Sequence, residues 1–350
     1  MISPLIVPAV CSFLFAAVLS PVVIRLARRC DVLDKPTGEA KELHRKPMPL
    51  LGGLAIFIAI ALVLVAFLYK GSPLLSGLVG VKQYLGFILG GFVLMIGGFL
   101  DDKFTLPAKI TILFPIAAAL IAVCFQIGVS KISNPFGGSP FELSDFASGW
   151  ITFVWLLVVM YTTKLLDGLD GLATGVSAIG AFMMMCLALT VRYFQPDAAM
   201  FAAICTGALV GFLIWNFNPA KIFLGEGGST FVGFTIGTLA VIGGGKLGTA
   251  LLVLCLPFLD GAWVILRRTL VEHHSPTYGD RLHLHHRLLD LGLSQRQVVL
   301  LYYAIAASVC VATLFLQSRE KLILFGVIVV LMIVFATALV LSERRRSTLV

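Results

Sequence analysis

The chain has 350 residues, of which 59% are hydrophobic and only 13% charged, about half the charged share of an average soluble domain. A mean hydropathy of +1.01 excludes both a soluble globular domain and a disordered chain. Lysine and arginine exceed aspartate and glutamate by 26 − 18 = 8. No basic run outside the apolar blocks is interleaved with aromatics, so the excess points to membrane topology and not to nucleic acid.

The predicted elements are apolar blocks of roughly 20 residues, the length of a helical span. The first, 3–24, has no basic residue before Arg25 and reads as a permanent span, unlike a cleaved signal peptide. A basic stretch follows, with His44 and Lys46-Pro47-Met48-Pro49, then span 50–69. Spans 83–100 and 107–126 are separated by Asp101-Asp102-Lys103. Spans 150–166 and 171–191 flank Lys164-Leu165-Leu166-Asp167-Gly168-Leu169-Asp170-Gly171. Span 199–216 ends on Asn216, and Phe223-Leu224-Gly225-Glu226-Gly227-Gly228-Ser229-Thr230 opens span 229–244. Gly243-Gly244-Gly245 reads as a turn before span 248–266. A loop, 267–297, carries Asp280-Arg281-Leu282-His283-Leu284-His285-His286-Arg287, and spans 298–316 and 322–341 close the chain. This is an all-α, polytopic membrane protein of 10–11 transmembrane helices, with residues 1–350 as one integral membrane domain. No strand alternation of a membrane barrel is present. The seven cysteines have no zinc or redox spacing and read as small membrane-buried residues.

Alternating the spans places 19 of the 26 lysines and arginines on one side of the membrane. The positive-inside rule makes that side cytoplasmic, with the N-terminus outside and the C-terminus inside. Asp101, Asp102, Asp167, Asp170, Asn216, Glu226, His44 and the three clustered histidines all fall on this face, although apolar blocks and basic residues alone define the map.

Each cluster has a plain reading of its own. Asp101-Asp102 alone is a solvated helix end; as a pair of repelling carboxylates it calls for a nearby positive charge, and a hard cation such as Mg²⁺ suits it. Asp167 and Asp170 share a face if helical, while the glycines beside them suit a tight turn or a ligand. The Gly225–Gly228 segment is an ordinary glycine loop capped by Ser229, or an anion cradle at a helix start. His283, His285 and His286 lack a cysteine partner and are flanked by arginines, so phosphate contact fits better than zinc. Together they describe a pocket at membrane depth with acids for a divalent metal and bases for phosphate. Phosphoryl transfer between a nucleotide and a lipid needs that combination. A secondary transporter with a midplane ion site is the alternative of another class, but it would carry its acids within spans and show an internal repeat.

The ordered motifs resemble the polyprenyl-phosphate N-acetylhexosamine-1-phosphate transferases, a family that includes phospho-MurNAc-pentapeptide transferase. The resemblance runs from about residue 20 to 295. It rests on Lys46-Pro47-Met48-Pro49 before Gly52-Gly53, Asp101-Asp102, Asp167-Gly168-Leu169-Asp170-Gly171, Asn216 ahead of Pro219-Ala220-Lys221-Ile222-Phe223, Gly225, Gly228-Ser229 and His283-Leu284-His285-His286. The His-x-His-His form looks like the GlcNAc-1-phosphate branch.

The resemblance implies transfer of HexNAc-1-phosphate, in this branch GlcNAc-1-phosphate, from a UDP-N-acetylhexosamine to undecaprenyl phosphate, with phospho-MurNAc-pentapeptide transfer or another UDP-sugar as the alternative within the family. UMP is released, and Mg²⁺ or in its place Mn²⁺ is required. It implies a multi-pass protein of the bacterial plasma membrane with its active site in cytoplasmic loops, making the first lipid-linked sugar of a cell-envelope glycan such as O-antigen or teichoic acid. A homodimer is open to it, but no sequence feature selects an interface. The implied catalytic residues are Asp101, Asp102, Asp167, Asp170, His283, His285 and His286. Lys46, Lys164, Asn216, Phe223, Gly225 and Arg281 are implied substrate contacts, and Glu226, Asp102 and Asp167 implied metal ligands. Three residues depart from the family pattern: Glu226 stands where an aspartate is usual, Lys164 where an asparagine is usual, and Tyr161 in place of an earlier asparagine.

Overall fold

The structure, a computed structural model, describes residues 3–36, 46–69, 71–77, 79–129, 131–132, 134, 137–191, 193–243, 247–270 and 283–347. Fourteen α-helices carry the described chain: α1 (Ser3–Arg29), α2 (Gly52–Phe67), α3 (Val81–Phe104), α4 (Ala108–Thr111), α5 (Leu113–Cys124), α6 (Asp145–Leu166), α7 (Leu172–Leu189), α8 (Pro196–Asn216), α9 (Gly225–Ile242), α10 (Leu247–Val253), α11 (Cys255–Leu270), α12 (Leu284–Asp290), α13 (Gln295–Phe315) and α14 (Ser318–Ser347). Among the described residues, sheet is confined to two short antiparallel pairs, β1 (Leu33–Asp34) with β2 (Met48–Pro49) and β3 (Lys131–Ile132) with β4 (Phe141–Glu142). The protein is a polytopic helical membrane protein.

Each of the eleven predicted spans falls on a helix or a helix pair. Six described helices (α1, α3, α6, α7, α8 and α13) are long and apolar enough to cross a membrane, and the α10–α11 pair, bent by 71°, would make seven. Two further apolar segments, α2 and the 108–124 segment of α4 and α5, are shorter. The 16 residues of α2 reach only about 24 Å, against about 30 Å of hydrocarbon.

The helix ends follow their sequence signals. Ser144 caps α6 by accepting from the Ala147 N–H at 3.4 Å, and Ser294 with Gln297 forms a capping box on α13. Pro196 occupies the first turn of α8, where its missing N–H costs nothing.

α8 and α7 form the centre of the bundle and are its most buried spans. Gly207 and Gly211, one turn apart on α8, lie against the carbonyls of Ala9 and Phe13, so α1 docks with no side chain between the backbones. Two further contacts of this kind gather helices around one point. Gly53 of α2 meets Gly228, and Gly98 of α3 meets Gly227, both at the start of α9. Deeper, Phe57, Phe87, Phe201, Phe231 and Phe234 interlock, with Phe87 and Phe234 stacked at 5.6 Å. The opposite end of α6 presents Phe146 and Trp150, 84% and 60% exposed, as aromatic side chains do at a membrane interface.

Candidate active site

A cavity of about 530 Å³ opens where α3, α6, α9 and α12 converge. Six acids line it: Asp34, Asp101, Asp102, Asp167, Asp170 and Glu226. Lys164 and His286 are its basic side chains.

The glycine contacts set the acidic wall. Backbone packing of α9 on α3 brings Glu226 beside Asp102, whose Oδ1 accepts the Glu226 N–H at 3.0 Å. Gly225 adopts φ +75°, a left-handed turn that favours glycine, and any Cβ there would strike the Asp102 carboxylate. Asp101 points along the neighbouring face and accepts from the Thr111 hydroxyl at 2.7 Å.

Lys164, on the last turn of α6, crosses to Glu226 and pairs with it at 2.5 Å. Two of the three residues that depart from the expected pattern, Lys164 and Glu226, therefore face each other as an ion pair. The pair is partly shielded, with Glu226 15% and Lys164 36% exposed.

The stretch after α6 turns at Asp167-Gly168, and α7 begins after Gly171 at φ +80°. Burial, together with the charges of Asp102, Glu226 and Asp170, pushes the Asp167 carboxyl well above the usual carboxylate range. Asp170 turns the other way. Its Oδ2 accepts from Asn218 Nδ2 at 2.9 Å and from the Ala220 N–H at 3.0 Å, so it pins the turn before Phe223.

Asn216 lines the cavity, but its amide is committed to the protein. Its Oδ1 accepts from Thr174 at 2.7 Å, and its Nδ2 donates to the Ile222 carbonyl at 3.0 Å. Phe223 is fixed through its backbone: its N–H donates to the Pro49 carbonyl at 2.9 Å, and its own carbonyl accepts from Gly52.

Of the three histidines, only His286 lines the cavity. His285 is buried against Gly168. Burial, then the neighbouring His286 and His283, push its imidazole down to about 3. His283 lies one step further back, bonded to Asp260 of α11. Lys46 is exposed and is not among the cavity's lining residues. Arg281 and His44 lie outside the described residues.

Sequence reading missed Asp34, which lines the cavity from β1, as well as Asn218 and Asp260. Asp34 is one of several acids scattered through a basic stretch, with Asp31 three residues before it, and the β1–β2 pairing brings it round. Asp260 is a single acid in an apolar run; its presence within a span was the available signal.

Among the described residues, no three His, Cys, Asp or Glu side chains form a ready-made metal cage. Mg²⁺ does not demand one, since it usually takes one or two carboxylates and completes its shell with water and phosphate. Burial first, and then the neighbouring carboxylates of Asp102, Glu226 and Asp170, lift Asp167; a divalent cation would relieve the mutual repulsion of these acids. The hard oxygen donors of Asp102, Asp167 and Glu226 fit such an ion.

A second cavity, about 410 Å³, adjoins the first. Its walls are apolar, among them Leu54, Phe57, Phe92, Ile96 and Phe99, and it ends on Asp102. Phe92 and Ile96 are 53% and 42% exposed on the helix exterior. The two cavities therefore meet at one carboxylate, one side polar and the other oily.

The sequence profile of glycosyl transferase family 4 matches residues 84–244. Three relatives align over most of the chain. A probable undecaprenyl-phosphate N-acetylglucosaminyl 1-phosphate transferase of Bacillus subtilis is 31% identical, covering 94% of this chain and 89% of the relative. A decaprenyl-phosphate N-acetylglucosaminephosphotransferase of Mycolicibacterium smegmatis is 31% identical, covering 84% and 79%. A phospho-N-acetylmuramoyl-pentapeptide-transferase of Bacillus subtilis is 29% identical, covering 87% and 95%. Motif order, helical membrane fold and these alignments agree, and the chain belongs to glycosyl transferase family 4 as a membrane-bound sugar-phosphate transferase.

Proposed function

We propose that the protein transfers GlcNAc-1-phosphate from UDP-GlcNAc to undecaprenyl phosphate, giving undecaprenyl-diphospho-GlcNAc and UMP. The meeting of a polar, acid-lined cavity with an apolar one at Asp102 carries this reading. One substrate is a charged nucleotide and the other an isoprenoid with a phosphate head; only a site with both environments in contact suits the pair. The names of the relatives support the sugar and the lipid.

An oxygen of the lipid phosphate attacks the β-phosphorus of the donor. The bond from that phosphorus to the bridging oxygen breaks, and UMP leaves with the oxygen. Asp101 or Asp102 accepts the proton of a lipid phosphate that arrives protonated, and through that hydrogen bond sets its oxygen in line. Lys164, held by Glu226, presents an ammonium to the diphosphate, and His286 offers its imidazole from the same cavity. Asp170 keeps the 218–220 turn, and with it Phe223, placed for the nucleotide base. Asn216 shapes this turn through its hydrogen bonds. Asp102, Asp167 and Glu226 would hold Mg²⁺, with Mn²⁺ as its substitute, which supplies charge neutralisation at the diphosphate. The excess of basic residues on this face supports a cytoplasmic site, an outside N-terminus and a cytoplasmic C-terminus.

The test is a detergent-solubilised assay with undecaprenyl phosphate, Mg²⁺ and a panel of UDP-sugars, following UMP and lipid product by mass. UMP from UDP-GlcNAc, abolished by Asp101→Ala and Glu226→Ala, is expected. Transfer from a different UDP-sugar alone would overturn the donor assignment. No UMP from any donor, with folded protein, would overturn the reaction.

A further inference from the structure

Asp260 lies on α11 and is only 6% exposed. It is not among the residues lining the acid cavity. Its two oxygens are used separately. Oδ2 accepts from His283 Nδ1 at 2.9 Å, and Oδ1 accepts from the Leu284 N–H at 2.8 Å. A carboxylate can only accept, so Nδ1 of His283 carries the hydrogen and Nε2 is the ring nitrogen turned to other partners.

The contact continues toward the reaction centre. The His283 ring stacks on His285 at 5.7 Å with an interplanar angle of 8°. His285 in turn rests on Gly168, between Asp167 and Asp170. His286, next in the chain, enters the cavity. A buried carboxylate within an apolar helix is costly; here it is matched by one side chain and one backbone N–H, both at the start of the histidine segment.

We propose that Asp260 is a positioning residue for the transfer reaction, holding His283 in a single orientation and thereby setting the His283–His286 segment against Gly168 and the cavity. The inference rests on the function proposed above. It names a residue that acts through His283 and touches neither substrate.

A residue that merely capped α12 would act through Leu284 and be indifferent to the His283 ring. A double-mutant cycle separates the two roles, because residues acting through one contact are non-additive. The full chain is assayed in detergent with UDP-GlcNAc and undecaprenyl phosphate. Asp260→Asn keeps an acceptor for Leu284 but opposes an N–H to Nδ1. It is expected to lower kcat/KM by roughly 10- to 100-fold while the thermal midpoint stays near that of the unaltered protein. Asp260→Glu should recover part of the loss. In a His283→Ala background, Asp260→Asn should add little.

Should Asp260→Asn fail to fold, Asp260→Glu carries the same cycle: it must lower kcat/KM beside His283 and leave it unchanged beside Ala. Losses that add in full, or unaltered kinetics in Asp260→Asn, would overturn the assignment. If the unaltered protein transfers sugar-phosphate and the losses add, only the role of Asp260 falls. If it releases no UMP from any donor, the reaction falls and the role of Asp260 with it.

Discussion

The acidic and histidine halves of the site are held in different ways. Asp101, Asp102 and Glu226 stand on helices whose backbones touch at Gly98–Gly227, with Gly53–Gly228 alongside. His283, His285 and His286 stand at and beside a seven-residue helix that fastens to α11 through the Asp260 carboxylate. Close backbone packing leaves no slack, because interiors transmit strain directly. A short helix tied by hydrogen bonds can shift or loosen without disturbing the bundle. The acidic wall is therefore the fixed part of this site, and the histidine wall the adjustable one.

The largest expected effect tests the fixed wall by charge alone. Asp102→Asn keeps an acceptor for the Glu226 N–H, so the geometry should survive while transfer falls by roughly 10³-fold; a residual rate near that of the unaltered enzyme would remove Asp102 from the chemistry. Next, Gly227→Val forces a branched side chain toward the Leu94 carbonyl and the Gly98 backbone. It should cost about 3 kcal/mol, read as a fallen thermal midpoint in detergent. A tolerated valine would show that this wall gives way after all.

The histidine wall answers to pH. Burial holds His285 neutral with its imidazole pushed down to about 3, whereas in the unfolded chain it titrates near 6.5. Its contribution is complete above that unfolded value and is lost as pH falls from there toward the folded one. Going from pH 7 to pH 5 should cost about 2 kcal/mol. The checking measurement is the thermal midpoint at both pH values for the unaltered protein and His285→Gln, the variant showing the smaller drop. The smallest effect lies away from both walls. The Lys131–Glu142 pair is exposed on the β3–β4 ribbon, and Glu142→Gln should leave both the midpoint and transfer unchanged.

Composition made the membrane fold legible, because twenty apolar residues in a row have few other uses. The acidic cluster was legible for a similar reason. Carboxylates at the ends of apolar helices stand out, and Asp101, Asp102, Asp167, Asp170 and Glu226 all reach one cavity. The pairing of Lys164 with Glu226 was not legible, since 62 residues separate them and only the packing of α6 on α9 brings them face to face. Asn216 does line the cavity, but its bonds to the Thr174 hydroxyl and the Ile222 carbonyl were not legible from its position at a helix end. Asp34 and Asp260 depend on a two-residue strand and a distant histidine, contacts that periodicity does not encode.

The aromatic pair at the start of α6 fixes a depth. From Trp150 to Asp167 the helix climbs about 25 Å, and tilt shortens that further. From Phe146, one turn earlier and the more exposed of the two, the run is about 31 Å, the thickness of a hydrocarbon layer of about 30 Å. Measured from either aromatic, the acids come at or just inside the far boundary of that layer. A lipid phosphate resting at that boundary reaches them with little descent into the apolar layer.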